Sequence, residues 1–206
     1  MKLTKHALAM VALASWPTLA LGGDLDAIDV GRRLADRNCA WCHGPSGQGF
    51  TTAPRLAGQK HGYIEVQLQD LKAHARDNPL SAQYMWGAVS RVNEEVARDL
   101  AAYYSTLPPA PARDGDERLE DEGRSLYQNG DIASNIVSCV ACHGPTGEGA
   151  GQIPRVAGLS YYYLKRKLDQ WGEGYHATAA APMPGIATKL TPSQIEVLAS
   201  YLSFVE

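Results

Sequence analysis

The chain has 206 residues, 20% of them charged, and a formal net charge of -3. That mildly acidic balance argues against nucleic acid and anionic lipid as partners and suits docking on a basic protein patch. Beyond residue 20 no stretch is long and apolar enough to cross a bilayer, which argues against a multi-pass membrane protein.

The amino terminus reads as an export signal. Lys2, Lys5 and His6 precede an apolar run from Ala7 to about Trp16, and Thr18-Leu19-Ala20 supplies the small residues of a cleavage site. Cleavage after Ala20, removing residues 1-20, leaves 186 residues and moves the formal charge to -5 by taking away Lys2 and Lys5. An uncleaved anchor is the competing reading, but the run falls short of the roughly 20 apolar residues that a spanning helix needs. A periplasmic location is therefore expected. Residues 21-107 carry 9 Lys/Arg against 10 Asp/Glu and residues 108-206 carry 8 against 12, so the acidity lies mainly in the second half.

A leading helix is expected through Ile28, Leu34 and Ala35, running into Cys39-Ala-Trp-Cys-His43. Cys-x-x-Cys-His is the attachment signature of c-type haem: the thiols of Cys39 and Cys42 add across the vinyl groups, and the adjacent His43 reaches the iron. The signature returns at Cys139, Cys142 and His143, and the two copies use all four cysteines. Disulfides or a zinc site are the alternatives for four such cysteines. Neither explains a histidine directly after the second cysteine both times. Two sites imply two covalently attached haems, and attachment outside the cytoplasm agrees with export.

Pro54 and Pro154 each follow their haem histidine by 11 residues. Each proline carbonyl is expected to accept the imidazole N-H, fixing the tautomer and raising donor strength, where the alternative is a plain loop break. Arg55 and Arg155 are candidates for pairing with haem propionates, the alternative being solvated arginine. Gly47, Gly49, Gly147 and Gly149 supply tight turns. Middle helices are expected over Tyr63 to Leu71 and Tyr161 to Trp171. Asn93 reads as an N-cap before an apolar face of Val96, Leu100, Tyr103, Tyr104 and Leu107. In the second half a leading helix runs through Gly123 to Tyr127, Asn129 to Ile136 reads as an inserted surface loop, and Thr191, Pro192 and Gln194 form a capping box before Ile195, Leu198 and Leu202.

A shift of 100 residues superimposes Cys39-Gly49 on Cys139-Gly149, Pro54-Gly58 on Pro154-Gly158 and Tyr63 on Tyr163; a shift of 98 pairs Met85 with Met183 and Tyr103 with Tyr201. The chain is a duplication: domain 1 over 21-107, a proline-rich linker over 108-118 that is expected to be extended and solvated, and domain 2 over 119-206. The expected fold is all-α, with helices wrapped around a prosthetic group in each half. Met85 and Met183 are the only methionines beyond residue 20, one per repeat in matching register, which marks them as the sixth iron ligands. His61, His74 and His176 have no histidine counterpart and are expected in surface or structural roles. His176, seven residues before Met183, is the one rival ligand.

With the paired CxxCHG sites, the Pro-Arg-Leu/Val-Ala-Gly stretches, the Met-x-Gly segments and the terminal Leu-Ala-x-Tyr helices in place, the chain from about Asp24 to Phe204 resembles the cytochrome c4 family. The resemblance implies two class I cytochrome c domains, ligated through Cys39, Cys42, His43 and Met85 and through Cys139, Cys142, His143 and Met183. It implies a periplasmic, often membrane-associated carrier between quinol-oxidising complexes and terminal oxidases, with redox proteins as partners. A cytochrome subunit of a dehydrogenase, such as a sulfide-oxidising flavoprotein, is the second reading. A dihaem peroxidase is the third, disfavoured because two matched methionines close both irons. Pro184 after the second methionine, bulky Trp41 and the insertion before Cys139 depart from the pattern.

Overall fold

The computed structural model describes residues 22-50, 52-177 and 181-206. The expected signal segment lies outside them. Among the described residues ten α-helices fall into two equivalent sets, α1 (Gly22–Asn38), α2 (Ala40–His43), α3 (His61–Lys72), α4 (Trp86–Val89) and α5 (Glu94–Thr106), then α6 (Glu120–Asn129), α7 (Val140–His143), α8 (Tyr161–Gly172), α9 (Met183–Ala187) and α10 (Pro192–Phe204). Among the described residues the only β pairings are isolated bridges, Asp131 with Ile136 and Ala150 with Ile153. The first of these closes the inserted loop, whose Ile132 is fully exposed.

Each half is organised by the crossing of its first and last helices, α1 with α5 and α6 with α10. The crossings pivot on glycine. A Cβ on Gly31 would overlap the Asp99 carbonyl and lie 2.9 Å from Tyr103 Cβ, and one on Gly123 would overlap the Val197 carbonyl and lie 2.5 Å from Tyr201 Cβ. Backbone therefore rests on backbone, and the neighbouring tyrosines pack over the contact. The periodic faces expected from the sequence supply the cores: Ala35, Ile64, Leu100, Ala101, Tyr103 and Tyr104 in the first half, and Tyr127, Leu159, Leu164, Leu198, Tyr201 and Leu202 in the second. The Asn93 side chain accepts from Val96 N at 2.8 Å, and Thr191 and Gln194 cap each other reciprocally, which starts α5 and α10 where the sequence places them.

These cores are small, so haem is expected to supply much of the apolar volume each half needs. Haem-free protein should lose most of its far-ultraviolet helical signal, and full native helicity in circular dichroism of the apoprotein would contradict that dependence.

The linker departs from the solvated strand that its prolines and charges suggest. Gln48 brackets it, donating to Pro108 O at 2.9 Å and accepting from Ala110 N at 3.1 Å. Ala112 N then donates to Gly158 O, and Arg113 N to Ser203 O. Gly115 N and Asp116 N reach the hydroxyls of Ser203 and Ser200, both fully buried. Backbone groups that water was expected to satisfy are satisfied by both domains instead.

Candidate haem sites

In each half the attachment residues lie on one short helical turn. Cys39 and Cys139 stand at the start of α2 and α7, half-buried, while Cys42 and Cys142 are exposed, and all four thiols are free. Burial pushes the Cys39 thiol up and that of Cys139 up to about 11. The next residue is buried in both halves: His43 is 5% exposed and His143 7%. His43 Nδ1 lies 2.8 Å from Pro54 O, and His143 Nδ1 lies 3.0 Å from Pro154 O. The carbonyl can only accept, so Nδ1 carries the proton and Nε2 is left as the donor. Burial lowers the pKa of both rings, the carbonyl bond opposing it.

Loop backbone brings each proline back to its histidine. Gly49 N donates to His43 O and Gly149 N to His143 O, both at 2.8 Å, and Leu56 and Val156 donate to Gly47 O and Gly147 O at 2.8 Å. Gly49 and Gly149 have φ of 76° and 66°, and a Cβ on Gly49 would lie 2.5 Å from Ala53 O. Only glycine turns this tightly at so close an approach.

Met85 ends a π-helical turn, Ser81–Met85, that leads into α4, whereas Met183 opens α9 directly, and both are half-buried. Repeat-related methionines are thus delivered by short helices of different local form. His61 and His74 are exposed, with His74 stacked on Trp86 at 3.9 Å. His176, which was expected either on the surface or in a structural role, is 1% exposed, and its Nδ1 lies against Lys167 Nζ at 2.5 Å.

The arginines fit a carboxylate-bearing group. Arg55 is 7% exposed, and its Nε and Nη1, like Arg155 Nε, are buried without a hydrogen-bond partner. Burial and the neighbouring Arg155 lower the Arg55 pKa to about 10. Buried cationic donors of this kind call for an anion such as a haem propionate. Together with a fixed imidazole donor and two free thiols one turn apart in each half, they match the chemistry of an attached haem.

The domains also meet through Gln59, Arg76 and Asp77, which no sequence motif marks. The Gln59 side chain spans the Arg155 backbone, donating to its O at 3.0 Å and accepting from its N at 2.8 Å. Arg76 donates to Gln67 Oε1 at 2.8 Å and across the junction to Tyr163 Oη at 3.2 Å. His176 N donates to Asp77 Oδ1 at 2.6 Å. The available signal is divergence between the copies: at the 100-residue shift Gln59 faces Leu159, Gln67 faces Lys167 and Arg76 faces His176. Trp41, bulky inside the first attachment turn, is 88% exposed.

The family profile for cytochrome c matches residues 28–108 and again 120–205. Among curated proteins, cytochrome c4 of Thiocapsa roseopersicina is 34% identical over 179 residues, covering 84% of this chain and 90% of that one. A thiosulfate dehydrogenase electron acceptor of Stutzerimonas stutzeri is also 34% identical, over 94% of this chain and 90% of its own. The crystal structure of reduced recombinant cytochrome c4 from Pseudomonas stutzeri superimposes with a TM-score of 0.78 at 28% identity, covering 87% of this chain and 98% of that one. The chain belongs to the cytochrome c4 family, carrying two covalently attached c-type haems in tandem all-α cytochrome c domains and transferring electrons without being an enzyme itself.

Proposed function

We propose that Cys39, Cys42, His43 and Met85 would hold one haem, and that Cys139, Cys142, His143 and Met183 would hold the other. The observation that carries this reading is the imidazole-to-proline bond, which in both halves leaves one ring nitrogen as a fixed donor. Bound there, haem supplies an iron that alternates between the ferric and ferrous states. The chain's contribution is to hold an imidazole and a thioether in place in either state. Little reorganisation then accompanies electron transfer, and small molecules are kept off the iron.

The finer assignment is a periplasmic carrier, made with a cleaved signal over residues 1-20, that takes electrons from a quinol-oxidising complex and passes them to a terminal oxidase or reductase. Among the described residues no helix is long and apolar enough to cross a membrane. The acidity of residues 108-206 favours a partner with a basic patch there. A second reading, the electron-accepting cytochrome of a dehydrogenase, is favoured by the similarity to the thiosulfate dehydrogenase electron acceptor.

Recovery of the proteins bound to native holoprotein separates the two. The carrier reading expects a membrane oxidase or quinol-oxidising complex and loss of binding at high salt. A tightly held dehydrogenase whose substrate reduces the cytochrome would replace that reading with the second.

A further inference from the structure

Where the first half carries Gln67 and Arg76 in contact, the second carries Lys167 and His176. The first pair has one permanent charge and nothing that titrates near neutrality; the second is two bases in contact. Lys167 is 8% exposed and His176 1%, their nitrogens are 2.5 Å apart, and His176 Nε2 has no hydrogen-bond partner. His176 is held in left-handed backbone at φ 58°, a conformation that a non-glycine residue adopts at a cost, and its N-H is bonded to Asp77 of the other domain.

A contact between Nζ and Nδ1 needs one lone pair, so the two groups cannot both be protonated there. The surroundings do not restore the second charge. From the first domain Arg76 and Asp77 face the pair, with Tyr63 and Asp70 behind Arg76; on α8 Trp171 lies under Lys167 Nζ at 4.7 Å, with Tyr163, Arg166 and Asp169 nearby in sequence. Burial, then Arg76, lowers the Lys167 pKa to about 6; burial, then Lys167 and Arg76, lowers that of His176 to about 3.

We propose that Lys167 and His176 form a proton-binding site whose occupancy sets the strength of the contact between the two domains, the uncharged pair closing the junction against Arg76 and Asp77 and proton uptake weakening it. The sign follows from linkage. When the junction opens, Lys167 reaches water and regains its ordinary value of about 10.4, so between about pH 6 and that value the open form holds about one more proton than the closed form. Closure is therefore favoured progressively as pH rises through this window, by up to about tenfold per pH unit, and is weakest below about pH 6. The pair would make one domain contact respond to acidity in an otherwise fixed assembly.

The test uses reduced holoprotein. Hydrogen-exchange protection of the Arg155 and His176 amides, corrected for intrinsic exchange, should rise several-fold to tenfold per unit between pH 6 and 8 in the wild type. It should be flat in Lys167→Gln, which installs the residue found at the matching position 67. An equal slope in Lys167→Gln overturns the proposal. Side-chain nitrogen NMR of Lys167 provides an independent measurement should the variant fold poorly: titration near pH 6 supports the site, and an amine still charged above pH 9 overturns it.

Discussion

Replacing Met183 with alanine should lower one of the two haem potentials and open that iron to carbon monoxide while leaving the other wave in place. Met183 opens α9 as a half-buried side chain, and alanine keeps the helix while removing the sulfur. Thioether donors favour ferrous iron, so losing one shifts the couple downward, on the order of 100 mV or more within the about 0.8 V range that axial ligands span. A redox titration followed at two wavelengths, with carbon monoxide difference spectra, checks both consequences. An unchanged titration with no carbon monoxide binding would remove Met183 as the ligand. His176, whose Nδ1 lies against Lys167 and whose buried Nε2 has no hydrogen-bond partner, is then the rival ligand to test next.

Gly123→Ala is expected to be among the most damaging single changes outside the haem ligands. The added Cβ would meet the Val197 backbone carbonyl and Tyr201 Cβ, neither of which is the loose end of a flexible side chain. Relief requires α6 and α10 to separate along the contact that organises domain 2. Overpacking costs about 1–3 kcal/mol and occasionally more, and this site belongs at or above the upper end. Against typical stabilities of about 5–15 kcal/mol, that is a large share for half a chain. Denaturant unfolding of the holoprotein should show domain 2 melting first, with domain 1 close to wild type. A midpoint shift below that expected for about 1 kcal/mol would show that the crossing is slacker than its geometry implies.

The features that can be read from the sequence are those whose causes are local or repeated. Asn93 and Thr191 cap helices through atoms three residues away, and the apolar faces of α5 and α10 follow from the helical period, so the sequence suffices for each. Pro54 and Pro154 are legible because the same interval recurs, and the carbonyl bonds are present in both halves. The junction is illegible for the opposite reason. Gln59 acts on Arg155, Arg76 on Tyr163 and Asp77 on His176, each joining residues 87 to 99 positions apart. No internal symmetry announces them, since in each pair at least one partner, Gln59, Arg76 or Asp77, sits where the copies differ. The linker misleads in a related way: its composition describes a strand in water, but Ser200 and Ser203 lie one turn apart on the buried side of α10 and accept its amides.

That pinned linker has a kinetic meaning. A free tether would let the halves sample many separations, and the rate of exchange between them would be set by how often they met. Here the connection is laid along both domains from Gln48 to Ser203, so the spacing of the two redox centres is a built dimension rather than an average. The internal hop needs no diffusive search, and the two halves behave as one conductor of fixed length.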